Sequence, residues 1–346
     1  MRLGRRAFLA SLAASLIACG PSRVVVSDRP ARLEPTPPRV DPAPTGRLEP
    51  PPPARAAAVP ARQTAAAVPA RQTAAASGRR TEAPPTPLAD DGALQRLLDR
   101  FLGEQRGQFG VAVRDLQGPV AASYQARDRF PLGSLFKLIL MFEVMRQVRL
   151  GGFALSEPVR TPAEYSFGEP PGGVPPGSRV TVEEALAAMI SVSSNAAALA
   201  LIDLVRPSGL EAAPRRAGLL DTAIDVEPSG PPGHYLIDAR GSAGDFAGLL
   251  VRLDREELVG PEQDRRMIDL MLGQTIADRL PAHLPRDVPI AHKTADLDGF
   301  THDAGMVYLP GRPYVLAIMA QGQSPTEGKA IAAEISRLVF GYFSGG

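Results

Sequence analysis

The sequence predicts an α/β architecture of the α+β kind: a five-stranded antiparallel sheet built from both ends of the folded segment, with an all-helical subdomain between them. Two observations carry this prediction. Along residues 88–346 the hydrophobic periodicity runs helix, two strands, a largely helical middle, three strands, helix. And the chain, 346 residues with 44% hydrophobic side chains, has enough apolar material for a sizeable core.

Taken in order, the first helix is expected near Asp91–Arg106, where Leu94, Leu97, Leu98 and Phe101 recur at helical spacing and Asp90 or Asp91 can cap the start. "FGVAVRDL" (109–116) and "VAASYQA" (120–126) read as strands joined by a turn containing Gly118. A helix over Ser134–Val148 follows, then a helical block from roughly 180 to 280. Strands are expected near Val288–Ala295, Ala304–Leu309 and Tyr314–Ala320, with a closing helix over Thr326–Phe343.

The amino-terminal segment is of another kind. Residues 1–19 combine Arg2, Arg5 and Arg6 with an apolar run from Ala7 to Ala18, too short to span a bilayer comfortably, and read as a signal peptide. "LIAC", ending at Cys19, resembles a bacterial lipoprotein box, and "GRRAFLA" resembles a twin-arginine export signal with Gly4 in place of Ser or Thr. The lipoprotein resemblance implies acylation of Cys19 and an exported protein anchored to a membrane of the cell envelope, facing the periplasm or the cell surface. Residues 20–87 are rich in Pro, Ala and Arg and carry "AAAVPARQT" twice in tandem, at Ala56–Thr64 and Ala65–Thr73. Nothing there has an apolar face to bury, so a disordered tether is expected, holding residues 88–346 away from the membrane.

A net charge of +1 with both signs mixed gives no reason to expect nucleic acid as a partner. With Cys19 the only cysteine, an internal disulfide and a Cys-based metal site are excluded. His234, His283, His292 and His302 are dispersed without helical metal spacing and read as packed or surface histidines, so no metal or cofactor is expected. A monomer is the expected state.

The chemistry starts from lysine usage. Of 38 basic residues 35 are Arg, and the three Lys are Lys137, Lys293 and Lys329. Arg stays protonated, whereas a desolvated Lys can lose its proton and act as a base. Lys137 lies three residues after Ser134, on the same helical face and in the apolar run "FKLILMF", a setting that lowers an amine's pKa. Ser134 opens that helix, beside backbone N–H groups able to hold a developing oxyanion. Downstream, Ser193–Ser194–Asn195 places two hydroxyls and an amide between apolar helices. "HKT" then puts Lys293 and Thr294 near a strand end, suited to a carboxylate ligand if an edge lets both residues face it. Lys329 reads as a surface charge.

Ser-x-x-Lys, Ser-x-Asn and Lys-Thr-x in this order resemble class A β-lactamases, over about residues 90–346. Flanking stretches that share the resemblance include "AEYS" (163–166), "EP" at Glu227–Pro228 and "SAGDFAGLL" (242–250). The resemblance implies a class A β-lactamase-like fold and a serine hydrolase that opens β-lactam amides through an acyl-enzyme on Ser134. It implies Lys137 as acylation base or positioning group, Ser193 as proton shuttle to the leaving nitrogen, and Glu227 as the group that activates the deacylating water. It implies Asn195, Lys293 and Thr294 as substrate contacts, backbone N–H groups of Ser134 and Asp296 as oxyanion hole, and Tyr165 as a wall of the entrance. The chain departs from the family in three places: Ser194 replaces Asp, Ala295 replaces Gly, and Pro231 stands where the family has an Asn that helps position the water. Alternatives to hydrolysis are a slowly turning over, penicillin-binding D,D-peptidase-like protein and a non-catalytic envelope-binding lipoprotein.

Overall fold

A computed structural model describes residues 92–164 and 168–345. The signal peptide, Cys19, the tether, the Asp90 or Asp91 cap and Tyr165 lie outside the described residues. Leu94, Leu98 and Leu102 make one buried stripe on α1 (Ala93–Gly103), which is shorter than its periodicity predicts. The hairpin β1 (Gln108–Asp115) and β2 (Ala121–Tyr124) follows. After the short β3 (Phe130–Pro131), a 3-10 turn over Gly133–Leu135 runs directly into α2 (Phe136–Arg149). Every residue of α2 from Phe136 to Met145 is buried, so this helix passes through the core rather than lying on it. The one acidic residue in that run, Glu143, is matched by Arg146, Gln147 and Arg216, with bonds of 2.7–3.0 Å.

The middle of the chain pairs β4 (Pro158–Arg160) with β5 (Arg179–Thr181) and then turns helical: α3 (Val182–Ser191), α4 (Asn195–Val205) and α5 (Pro207–Arg216). A reciprocal cap between Thr181 and Glu184 starts α3. β6 (Ala223–Pro228) and β7 (Tyr235–Gly241) form a hairpin, with β3 added along β7. α6 (Ala243–Asp254) and α7 (Pro261–Leu272) complete the block. The chain ends with β8 (Ile290–Leu297), β9 (Phe300–Val307), β10 (Tyr314–Gln321) and α8 (Pro325–Ser344).

The five-stranded antiparallel sheet is present, in the order β2-β1-β10-β9-β8, with β1 and β10 joined from opposite ends of the segment. Strand alternation divides the core. Ala112, Val315, Ala317 and Met319 face α2 and the helical block, whereas Val111, Val113, Leu316 and Ile318 face α1 and α8. The expected helical block over roughly 180–280 is corrected in one respect: it contains the β6–β7 hairpin, while the β4–β5 pair lies just ahead of it. Period-2 burial of Ile224 and Val226 and a Pro/Gly turn, closed by Ser229 N–H to His234 O at 2.9 Å, produce the hairpin. Among the described residues no helix is long and apolar enough to cross a membrane.

Candidate active site

Three elements converge at one cleft. The 3-10 turn delivers Ser134, the start of α4 delivers Ser193 and Asn195, and the edge strand β8 delivers Thr294, Ala295 and Asp296. Ser193 sits just before α4 with φ +64°, a left-handed conformation rare for a non-glycine residue and found preferentially where function demands it. Its Oγ is a hub. It donates to Ser134 Oγ at 3.0 Å and accepts from Lys137 Nζ and Lys293 Nζ, each at 3.1 Å.

Lys137 Nζ also donates to Ser193 O at 2.7 Å and to Asn195 Oδ1 at 2.8 Å, matching three acceptors to the three donors of an ammonium. The expected direct contact between Ser134 and Lys137 is therefore corrected. Among the described residues the two communicate through Ser193 Oγ, because the lysine stem carries the amine past the 3-10 turn toward the start of α4. With 1% of its surface exposed, Lys137 has its pKa held well below the usual lysine value. Burial is the main cause, repulsion from Lys293 adds to it, and Glu169 partly offsets it. Lys293 is pressed to about 7, chiefly by burial and also by Arg279, against the pull of Asp303 and Asp296. Lys293 Nζ also donates to Thr294 O at 2.8 Å. β8 has a neighbour on one side only; Thr294 lines the cleft, and Lys293 reaches the site through Ser193 Oγ at 3.1 Å.

The three departures resolve differently. The Ala295 methyl faces the turn that carries Ser134. A Cβ built on Gly133 would lie 3.4 Å from the Ala295 methyl and 3.2 Å from Leu297 Cγ, so a glycine at 133 makes room for the extra methyl. Ser194 caps α4, accepting from Ala197 N–H at 3.2 Å, and donates to Glu169. Glu227 is not among the residues that line the cleft. It sits exposed on β6 opposite Leu236, because alternation turns Ile224 and Val226 inward and Glu227 out. Pro231 lies in the turn of the same hairpin, where His234 N–H bonds its carbonyl at 3.2 Å.

Sequence reasoning missed two residues here. Glu169 lines the cleft from the loop before β5 and accepts from Asn195 N–H and Ala196 N–H, each at 3.0 Å. Arg279, wholly buried, pairs with Asp296, and its Nε and Nη1 find no hydrogen-bond partner among the described residues. One Arg among 35 carries no compositional signal, and Glu169 sits in a Pro/Gly stretch that reads as plain loop. Lys329, expected as a surface charge, joins the same network through Asp278 at 2.8 Å and stays only partly exposed. Among the described residues no cluster of His, Cys, Asp and Glu is placed to hold a metal ion.

Comparison with known proteins agrees with this geometry. Residues 93–343 match the family described as "Beta-lactamase enzyme family". A β-lactamase of Streptomyces fradiae is 32% identical over 260 residues, 70% of this chain and 83% of the relative. A carbapenem-hydrolyzing β-lactamase KPC of Klebsiella oxytoca is 30% identical, over 67% and 83%. Among solved structures, PBP-A has a TM-score of 0.65 at 25% identity and covers 75% of this chain and 98% of its own. An ancestral class A β-lactamase has a TM-score of 0.63 at 26% identity, over 72% and 100%. With its fold, its ordered motifs and these relatives in agreement, the chain belongs to the β-lactamase enzyme family and has the class A fold.

Proposed function

We propose that the protein opens β-lactam amides by acylation of Ser134. The observation that carries this is a buried amine, Lys137, bonded to Ser193 Oγ, which is itself bonded to Ser134 Oγ. Hydroxyl hydrogens can swing between partners. With Lys137 neutral, Ser134 passes its proton through Ser193 to the amine while its oxygen bonds the lactam carbonyl carbon. The C–N bond then breaks and the nitrogen takes the proton back through Ser193, so the lysine ends as it began. The N–H groups of Ser134 and Asp296 are assigned to the carbonyl oxygen, Asn195 to the substrate's amide side chain, and Lys293 and Thr294 to its carboxylate. Arg279 adds a second buried cation at that end of the cleft. The test is hydrolysis of a chromogenic cephalosporin. Activity is expected from the wild type and none from Ser134→Ala, and an active Ser134→Ala variant would refute the assignment.

The position of Glu227 favours a second reading, a penicillin-binding protein that acylates quickly and deacylates slowly. Intact-mass spectrometry over time after penicillin exposure separates the two: a fleeting adduct means hydrolysis, and one persisting for hours means slow turnover. For the rest of the chain the reading is an exported lipoprotein anchored through Cys19 and spaced from the membrane by residues 20–87, acting as a monomer on small β-lactams in the cell envelope. The resemblance of "LIAC" to a lipoprotein box and the composition of the tether support it.

A further inference from the structure

We propose that Glu169 is a positioning residue for acylation, supplying from a neighbouring loop the carboxylate that Ser194 lacks and thereby holding Ser193, Asn195 and, through them, Lys137 in their working arrangement. The inference rests on the acylation reading above. The turn Ser193–Ser194–Asn195 is the joint of the site, since all three hydrogen bonds of the Lys137 amine end on Ser193 and Asn195. Ser193 holds a left-handed backbone there, φ +64°, which needs support from its surroundings. Glu169 gives that support from outside α4. One carboxylate oxygen accepts from the N–H groups of Asn195 and Ala196, each at 3.0 Å, and the other accepts from Ser194 Oγ.

The neighbourhood is shaped for this side chain. Gly173 faces the Glu169 carboxylate so closely that any Cβ there would collide with it. Asn195 Nδ2 donates to Gly168 O at 2.8 Å, fastening the loop on the other side of the joint. Ser194 Oγ meanwhile accepts from Val174 N–H at 3.3 Å and from Ala197 N–H at 3.2 Å, positions that an Asp oxygen at 194 can also serve. Residues 169 and 194 thus share one niche with room for one negative charge.

Charged groups around the Lys137 amine are Lys293 from β8, which disfavours its proton, and Glu169, which favours it. Removing the Glu169 charge while keeping its shape therefore lowers the pH at which the amine becomes neutral.

The experiment measures the rate of Ser134 acylation by a fluorescent penicillin across pH for four proteins: wild type, Glu169→Gln, Ser194→Asp and the double variant. Glu169→Gln is expected to slow acylation about 10- to 100-fold, the usual effect of losing hydrogen bonds to a charged group, and to move the acidic limb of the profile to lower pH. Ser194→Asp alone is expected to slow acylation too, because it puts two carboxylates in contact. The double variant is expected to regain at least tenfold over Glu169→Gln and to return the limb toward its wild-type position, a reversal that loss of folding stability alone does not produce. Circular dichroism establishes that each variant is folded. Should Glu169→Gln not fold, Ser194→Asp decides: a rate at or above wild type overturns the proposal. Glu169→Gln acylating at the wild-type rate with an unmoved limb overturns it while leaving the acylation reading intact. A wild-type protein that takes up no penicillin overturns both.

Discussion

Replacing Gly133 by Ala asks two things of the turn that carries Ser134. The backbone has to keep φ +48°, and a new methyl has to fit 3.2 Å from Leu297 Cγ. We expect a loss of roughly 1–2 kcal/mol in thermal or urea unfolding and slower acylation, because Ser134 is the next residue. Lys137→Arg tests the amine itself. A guanidinium cannot be neutral, so this change is expected to cost as much acylation as Lys137→Ala, and activity close to wild type would contradict the base role. For Lys293 the sign follows from its pKa of about 7: the cation is present below that pH and fades above it. The KM for a β-lactam bearing a carboxylate should therefore climb as pH rises from 6 to 9, and a flat KM would remove Lys293 from carboxylate binding. At this scale the sequence singles out Ser134, Lys137, Ser193, Asn195 and Lys293, two of them by the choice of Lys in a chain with 35 arginines, and the structure bonds these five side chains into one network. It does not show Glu169, which a loop brings to the cleft, or Arg279, which pairs with Asp296 from a buried position.

Elements were legible wherever their period was long. α2, β10 and α8 follow from apolar runs, and their ends fall close to the predicted ones. The β6–β7 hairpin was not legible, because two buried positions, Ile224 and Val226, are too few to outvote the helical block around them. Glu227 lies in that hairpin, on β6, where strand alternation turns it outward. Glu227→Gln is now expected to leave cephalosporin turnover and adduct lifetime unchanged, and a trapped acyl-enzyme in that variant would restore its role. β9 holds a second prediction. His302 Nε2 donates to Pro131 O at 2.8 Å and Nδ1 accepts from Ala320 N–H at 3.2 Å, an arrangement that requires a neutral ring. Burial presses its pKa to about 4. Its contribution to stability is complete above the ordinary histidine pKa of about 6.5 and is lost as pH falls toward 4, about 3 kcal/mol in all. Urea midpoints measured from pH 7 to pH 4 should fall more steeply for wild type than for His302→Gln, and parallel curves would refute this.

For the molecule as a whole, composition separates two regimes near residue 88 without any structural aid: a Pro/Ala/Arg segment that cannot bury a core and a segment that can. Residues 88–346 produced alone are therefore expected to match the full chain in kcat/KM. Cys19→Ser is expected to move the protein from the membrane to the soluble fraction with its catalytic constants unchanged, as cell fractionation would read. Retention of the serine variant in the membrane would argue against the lipid anchor.

The central strand of the sheet, β10, is the last strand of the described residues in chain order. β10 has β1 on one side and β9 on the other, and β1 is separated from it by some two hundred residues of chain. Until β10 is in place, nothing joins the β1–β2 hairpin to the β8–β9 pair, so the sheet that presents Lys293 and Thr294 closes only after that strand has been made. Truncation before residue 314 is therefore expected to leave two unjoined strand pairs in place of one sheet.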